Sequence, residues 1–485
     1  MTWLPSWLMR DPIVLGRIGP LGALPFAIPT AARHTHCYCI GTTGQGKSKF
    51  LESLIVQDIL AGRGCGLVDP HTDLARDTLA HLVSKDYFQD SDTLNHVIYF
   101  DPTRADYVIP FNILKSNLHP YTIAQQVIEA FRRTWPRALE EAPRFTNIAL
   151  ATLLVLIETG QSLIEMPRVL VDKNFRETLL VQICDPQLVD FFRTRFSQWG
   201  RETAAMIESV LNKVTAFTFN PHLRNCLGAS ENRLDFRAIM DEGKVLIVDL
   251  GNCDGETRRL VGSLVVTGME MAALSRKDIS GPRRPFYLFL DEFQDFCAND
   301  GAAKTLAQIL SECRKFGLYL HLAHQTLGQI QQRVSSALGN VGIKVVFSVD
   351  REDAEVMARK LFTVDTEAVK HEAQTETQHP LFSPLPEQWE KAVAAVQALT
   401  PRMAFVKRRG AGVVQIRTES VQPYCVAPDE VSDLQTRLTQ VHGIPLSDVT
   451  KKPSESCQVP VPVHIMDWEV VQPVSHMLYD AGKQK

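Results

Sequence analysis

The stretch "GTTGQGKS", residues 41–48, decides the fold of this chain. It follows the apolar segment "CYCI" and precedes "KFLESLIVQDIL", so it stands between a predicted buried strand and a predicted amphipathic helix. Its fixed positions fit the pattern G-x-x-x-x-G-K-[ST], whose glycines let successive backbone N–H groups point inward at phosphate oxygens. The motif and its context therefore predict a phosphate-binding loop, or P-loop.

The residues of this loop predict a site for ATP and Mg²⁺. The Lys47 ammonium is expected to reach the β- and γ-phosphates, and the Ser48 hydroxyl to ligate the metal ion. The positive N-terminal end of the following helix adds to the attraction for phosphate. A chance glycine turn before a helix is the alternative interpretation. The predicted nucleotide-binding residues are Gly41, Thr42, Thr43, Gly44, Gln45, Gly46, Lys47 and Ser48.

A second motif, "FYLFLDEFQDF", residues 286–296, ends an apolar strand in two carboxylates. Asp291 is predicted to hold Mg²⁺, and Glu292 to orient or deprotonate the attacking water. Ligands of open α/β sheets lie at the C-terminal ends of the strands, where this pair stands. Taken alone, the pair fits a solvated turn equally well, but the P-loop in the same chain favours hydrolysis.

Two further candidates flank the strand predicted in "LYLHLAHQT", residues 318–326. Gln325 ends that strand, where its amide could sense the γ-phosphate or place the water. Upstream, "SECRKFG" puts Arg314 and Lys315 at a helix end, from which either could stabilise transition-state charge at a neighbouring subunit's nucleotide. The alternative is a cation that complements the helix dipole. His321 and His324 are predicted to be structural, because three residues apart on a strand they face opposite sides.

Composition narrows the class of protein. The chain has 485 residues, of which 45% are hydrophobic and 22% charged, as in a globular protein with a sizeable core. The formal net charge of −4 provides no global basic field, so any DNA contact must come from a local patch or a pore. The ten cysteines are scattered without a C-x-x-C pair, which suits a reducing cytosol.

No segment has the length of a transmembrane helix. The longest apolar run, "IALATLLVLI" at 148–157, has half of the about 20 residues that spanning requires. The start, "MTWLPSWLM", is short and lacks the basic residues of a signal peptide. We therefore expect a cytoplasmic protein that is at most peripheral at the inner membrane.

Short, continuous apolar runs recur along the chain and are typical of parallel strands covered on both faces. Between residues 101 and 244 only helical patterns occur. The sequence thus predicts an α/β fold with a mostly parallel central sheet and an inserted all-α domain. The runs predicted to be strands are "PIVLGRI", "HCYCI", "CGLVD", "HVIYFD", "KVLIVDL", "FYLFLD", "LYLHLAH" and "IKVVFSV".

We place the domain boundaries where these patterns change. The predicted domains are an N-terminal segment (1–33), a P-loop core (34–114 and 236–420), an all-helical insertion (115–235) and a Pro-rich C-terminal tail (421–485). Because the tail is polar and rich in proline, we expect it to be extended or partly ordered.

In order and spacing, the motifs resemble those of the conjugative coupling proteins of type IV secretion, of the TraG/TraD type, within the HerA–FtsK superfamily of DNA-pumping ATPases. The resemblance covers about residues 12–420 and includes the helical insertion. The stretches that carry it are "ARHTHCYCIGTTGQGKS", "GLVDPHTDL", "VIYFDPT", "IPFNIL", "LDEFQDF", "SECRKFGLYLHLAHQT" and "ALGNVGIKVVFSV".

This resemblance implies a RecA-like P-loop core and a homo-hexameric ring with ATP between subunits and DNA in the centre. It also implies relaxosome or secretion-channel partners. In residue terms, Asp291 and Glu292 match the Walker B pair, Gln325 matches the sensor glutamine, and Arg314 matches a candidate arginine finger. The chain departs from the membrane-anchored coupling proteins, because it shows no transmembrane helices and only about forty residues precede its P-loop.

These observations are compatible with three functions. The first is an ATP-hydrolysing DNA translocase that moves DNA in conjugation or mobile-element transfer. The second is a soluble HerA-like motor for DNA processing or defence that works with a nuclease. The third is a nucleotide-binding switch or adaptor without pumping. Because a switch does not need two carboxylates beside the P-loop, the Asp-Glu pair favours a hydrolase.

Overall fold

The structure is a computed structural model that describes most of the chain. The described residues are 12–19, 22–116, 118–135, 143–198, 207–208, 210–215, 218–229, 231–296, 300–330, 332–367, 369–370, 381–382, 384–420 and 426–450. Part of the predicted N-terminal segment (1–11) and most of the predicted tail (421–425 and 451–485) lie outside these residues.

The strands alternate with helices along most of the core. The strands are β1 (Ile13–Ile18), β2 (Leu24–Ile28), β3 (Cys37–Ile40), β4 (Gly64–Asp69), β5 (Val97–Phe100), β6 (Tyr107–Val108), β7 (Val245–Asp249), β8 (Phe286–Leu290), β9 (Leu318–His324), β10 (Ile343–Val346), β11 (Val369–Lys370), β12 (Leu381–Phe382), β13 (Met403–Arg408), β14 (Val413–Arg417) and β15 (Ile444–Pro445).

The α-helices are α1 (Lys47–Leu60), α2 (Asp73–Ser84), α3 (Ser91–His96), α4 (Pro120–Thr134), α5 (Pro143–Glu158), α6 (Met166–Val171), α7 (Lys173–Leu180), α8 (Pro186–Asp190), α9 (Pro221–Leu227), α10 (Phe236–Glu242), α11 (Gly255–Ser275), α12 (Asp300–Glu312), α13 (Gln332–Gly339), α14 (Arg351–Leu361), α15 (Leu385–Gln397), α16 (Pro428–His442) and α17 (Leu446–Thr450).

One sheet of 11 strands, in the order β2-β1-β14-β13-β10-β3-β9-β8-β4-β7-β5, forms the centre of the molecule. The strands from β10 to β5 in this order all pair in parallel. The remaining four are antiparallel neighbours on one side of them. All eight runs predicted to be strands form strands, and the predicted mostly parallel α/β fold is confirmed. β1 differs from the other seven because it pairs only in antiparallel ladders.

Helices cover both faces of this sheet. On one face, α1 and α2 contribute apolar side chains such as Phe50, Leu54 and Leu79 to a buried core. On the other face, α11 lies against the sheet and packs on α4, so the core continues into the helical region. Covering on both faces is the reason that the parallel strands read as continuous apolar runs.

The region between β6 and β7 is helical in every residue that the structure assigns to a regular element there. The longest helix that the structure describes there, α5, contains the run "IALATLLVLI" and has 16 residues, fewer than the about 20 that a bilayer requires. In the described parts of the chain, no helix combines the length and the apolarity that crossing a membrane requires.

The start of the predicted tail folds onto the core. Residues 428–442 form α16 rather than extended chain, because Val431, Leu434 and Leu438 make an apolar stripe that is buried against the sheet. The helix packs beside β5, where the Gln435 side-chain amide donates to the Tyr99 hydroxyl (3.0 Å). α16 thereby covers the β5 edge of the sheet.

Candidate active site

Three strands that are adjacent in the sheet bring the predicted site residues together. β9 lies between β3 and β8 and is parallel to both. The carboxyl ends of all three strands therefore lie side by side. The P-loop follows β3, Gln325 follows β9, and Asp291 and Glu292 follow β8. The carboxyl ends of parallel strands are the usual place for ligands in an open α/β sheet.

The P-loop has the backbone that the glycine pattern predicts. Gly44 (φ +78°) and Gly46 (φ +102°) adopt left-handed conformations, and Gly46 is the N-cap of α1. Gly41 is needed for a different reason: a Cβ there would lie 2.5 Å from the Phe347 Cβ. The buried Lys47 ammonium donates to the backbone oxygens of Gly41 (2.6 Å) and Thr42 (3.2 Å). The carbonyl groups of the loop itself thus hold the Lys47 ammonium in place.

The predicted metal ligands lie within hydrogen-bond distance of each other. The Ser48 hydroxyl donates to Asp291 Oδ2 (3.2 Å). Burial raises the pKa of Asp291 to about 6, and the nearby carboxylates of Glu292 and Asp69 contribute to the rise. Crowded, buried carboxylate oxygens beside a serine hydroxyl are a donor set that suits a hard divalent cation such as Mg²⁺. The residues present therefore fit the predicted metal.

Glu292 is held by two amide groups. The Gln325 amide donates to Oε1 (2.6 Å) and the Gln294 amide donates to Oε2 (2.7 Å). Glu292 also has a φ of +44°, which is uncommon for a residue with a side chain. Such strain persists only where the surroundings hold the residue in place, and it is concentrated at functional sites.

A chain of hydrogen bonds joins the P-loop to this carboxylate. The Thr43 hydroxyl donates to Gln325 Oε1 (3.0 Å), and the other end of the same amide donates to Glu292. A displacement at the P-loop, where a γ-phosphate would bind, can therefore reach Glu292 through one side chain. The arrangement can couple nucleotide state to the orientation of the candidate base.

Asp69 supports the neighbouring turn. One carboxylate oxygen accepts from the N–H of His71 (2.8 Å), and the other from the N–H of Ala75 (2.8 Å). Both bonds brace the loop between β4 and α2 and place a buried carboxylate next to Asp291.

The two histidines of β9 point to opposite faces of the sheet. His321 is buried and stacks on Phe289 (ring centroids 4.3 Å apart), which belongs to the core under α1 and α2. His324 Nε2 lies 2.6 Å from the Tyr38 hydroxyl, and its ring contacts Phe293 on the other face. Burial lowers the pKa of His324 to about 4, which favours the neutral ring. Within the described residues no cluster of His, Cys, Asp or Glu could hold a metal ion by itself.

Arg314 does not join this site within one chain. It lies in a 3₁₀ turn (Cys313–Phe316) that precedes β9, whereas Gln325 follows that strand. The seven residues of β9 put about 20 Å between the two ends. Arg314 is exposed and lines a cleft of about 310 Å³ together with Asn340 and Arg409. It can act on a nucleotide only if that nucleotide is bound to another subunit.

Two residues at the site were missed by the sequence patterns. Gln294 holds the second oxygen of Glu292, and a glutamine two residues after a Walker B pair was the only available signal. Arg402 touches the P-loop through a backbone hydrogen bond to Gln45. Nothing local in "TPRM" points to the P-loop, because the contact joins two distant parts of the chain.

The fold and the arrangement of these residues are those of a P-loop nucleotide-binding protein with a RecA-like core. Residues 285–401 match a family described as the TraM recognition site of TraD and TraG. No curated protein sequence matches the chain significantly.

Solved structures match over most of the chain. The bacterial conjugative coupling protein TrwBΔN70 has a TM-score of 0.60 and 18% identity, over 85% of this chain and 91% of that protein. TrwB in complex with ADP and Mg²⁺ gives a TM-score of 0.57 at 18% identity, with the same coverage. VirB4 of Thermoanaerobacter pseudethanolicus gives 0.53 at 14% identity, over 85% of this chain and 97% of that one. The predicted resemblance to the coupling proteins is confirmed at the level of the fold.

Proposed function

We propose that the protein is an ATPase that translocates DNA, of the conjugative coupling type. The observation that carries the proposal is the hydrogen-bonded chain from Thr43 through Gln325 to Glu292, since a site of this kind links the phosphate loop to a positioned base. The family match at residues 285–401 and the fold of TrwB and VirB4 support it. A nucleotide switch without turnover has no need of such a carboxylate.

Each residue of the site has a definite part in hydrolysis. Lys47 and the N–H groups of the P-loop bind the phosphates, while Ser48 and Asp291 hold Mg²⁺. The bound metal ion would neutralise negative charge on the phosphates. Glu292 accepts a proton from the attacking water or orients it, with both carboxylate oxygens already fixed by amides. The complex of the similar TrwB with ADP and Mg²⁺ supports this pair of cofactors.

The test is the rate of ATP hydrolysis by the full chain with and without single- and double-stranded DNA. We expect DNA to stimulate the rate several-fold and the stimulation to weaken steeply with salt, because phosphate contacts release counterions. An unchanged rate with either DNA at low salt would contradict a DNA motor. Hydrolysis too slow to distinguish from background would favour the switch.

The assembly and domain organisation belong to the same proposal. A homo-hexameric ring would place a nucleotide between neighbouring subunits, around a central path for DNA. The helical insertion (115–235) would face relaxosome, secretion-channel or other substrate proteins, and the core would comprise 34–114 and 236–420. The matched TraM recognition family supports a relaxosome contact for the region from 285 to 401.

Arg314 is proposed to complete the site of the neighbouring subunit. Arg314→Ala should retain ATP binding but lose turnover by about a thousandfold, because a cation supplied in trans stabilises transition-state charge. Lys47→Ala subunits keep Arg314, so mixing them with Arg314→Ala subunits should restore part of the activity. Lys277→Ala is the control, because Lys277 is also an exposed cation and lies before β8, as Arg314 lies before β9. Normal hydrolysis by Arg314→Ala, or mixed rings without activity, would reject the shared site.

A further inference from the structure

Arg402 lies beside the P-loop although it comes from a distant part of the sequence. It stands in the turn between α15 and β13, and its backbone N–H donates to the carbonyl oxygen of Gln45 (2.9 Å). Its own carbonyl oxygen accepts from the N–H of Thr418 (2.8 Å), the residue after β14. These two bonds tie the turn to the P-loop on one side and to the β13–β14 hairpin on the other.

The base of the Arg402 side chain lies beside the start of α1. A Cβ placed on Gly46, the N-cap of that helix, would lie 3.5 Å from Arg402 Cγ. The guanidinium is fixed by a hydrogen bond from Nη2 to the carbonyl oxygen of Thr418 (2.9 Å). The N–H groups at this helix start are the ones that a P-loop offers to phosphates.

In the part of the chain that the structure describes, no carboxylate forms an ion pair with Arg402, and its guanidinium bonds to a carbonyl oxygen. Some other arginines are paired with carboxylates, such as Arg33 with Asp58 (2.7 Å), whereas Arg258 and Arg409, like Arg402, bond to carbonyl oxygens. Arg402 is also partly buried and lies next to the positive end of α1. Positive groups gathered in this way repel each other unless an anion lies between them.

The strained backbone conformation of Arg402 indicates that the arginine side chain has a function at this position. Its φ is +71°, a conformation that glycine adopts freely and that is uncommon for any residue with a Cβ. A glycine would fit the turn with less strain, and the two backbone hydrogen bonds would remain. The strained position carries an arginine instead, next to a loop built for phosphate.

We propose that Arg402 recognises the phosphates of the nucleotide bound at the P-loop, together with the N-terminal end of α1. The inference rests on the proposed nucleotide binding and adds a cation from the same subunit, supplied by the hairpin turn. Arg402 and Arg314 then act on different nucleotides: Arg402 on its own subunit's, and Arg314 on the neighbour's.

The test is equilibrium binding of ATP, ADP and adenosine to the full chain, measured by displacement of a fluorescent ATP analogue. Arg402→Gln removes the charge and keeps the strained backbone, and we expect it to weaken ATP binding about tenfold. ADP should lose less affinity and adenosine none, because the lost attraction scales with the phosphate charge. Arg402→Lys keeps the charge and should stay within about threefold of the wild type. Arg408→Gln, at the other end of β13, is the control.

A structural brace would give a different result. If Arg402 only supported the loop, Arg402→Lys would bind ATP as poorly as Arg402→Gln does, and both variants would have a lower Tm. The affinity for adenosine would then fall as much as the affinity for ATP. That result, or wild-type ATP affinity in Arg402→Gln, would overturn the inference. Arg402→Gly should leave the Tm unchanged or raise it while still weakening ATP binding. A wild-type chain that fails to bind ATP would instead reject the proposed function.

Discussion

Lys47→Ala is expected to abolish ATP binding, with an affinity loss of at least about a hundredfold. The ammonium is buried at the P-loop and would exchange its bonds to the Gly41 and Thr42 oxygens for charge-assisted bonds to two phosphates. Alanine removes these bonds and also the internal support of the loop. Displacement of a fluorescent ATP analogue measures the effect.

Lys49→Ala is the matched control for this variant. Lys49 is two residues further along, is 45% exposed and pairs outside the loop with Asp77 (2.6 Å) and with the buried Glu52 (2.9 Å). Its replacement should leave ATP affinity within about twofold, because both of these ion pairs lie outside the P-loop. If Lys47→Ala binds ATP as tightly as Lys49→Ala does, "GTTGQGKS" is not a nucleotide-binding loop in this protein.

Glu292→Gln is expected to bind ATP normally and to hydrolyse it about a hundred to ten thousand times more slowly. The substituted amide cannot accept a proton from water. It also presents an NH₂ group where the carboxylate accepts bonds from Gln325 and Gln294, so one of those amides must turn away. Single-turnover hydrolysis, together with ATP affinity, separates the chemical step from binding.

Asp295→Asn tests whether the effect is specific to Glu292. Asp295 lies in the 3₁₀ turn (Phe293–Phe296) that follows Glu292, and burial raises the pKa of its carboxyl group, but it makes no described bond to the P-loop. This variant should hydrolyse ATP at close to the normal rate. Normal turnover by Glu292→Gln would show that the Walker B assignment is wrong, and loss of ATP binding would show that Glu292 acts on the loop rather than on water.

Much of the fold can be predicted from local patterns. Continuous apolar runs bounded by polar residues identify the strands, because a strand buried on both faces needs apolar side chains at every position. The start of α16 shows the limit of the same approach: proline and polar residues dominate "APDEVSDLQTRL", and only its contact with β5 makes the stripe of Val431, Leu434 and Leu438 stable as a helix.

The residues of the site could be predicted individually, but the contacts between them could not. The sequence motifs name Lys47, Ser48, Asp291, Glu292 and Gln325, since each stands at a strand end or in a glycine loop of known spacing. Their number and type predict phosphate and metal chemistry. Whether they meet depends on strand order, which no local pattern contains.

The sequence alone determined the P-loop, the α/β class and the carboxylates at the strand ends, because glycine spacing and apolar periodicity act over a few residues. Only the tertiary structure decided that β9 lies between β3 and β8, and therefore that Gln325 bonds to both Thr43 and Glu292. It also placed Arg402 at the P-loop, and Arg314 at the end of β9 that is opposite to Gln325. These pairings join residues far apart in the chain, and packing of the whole core selects them.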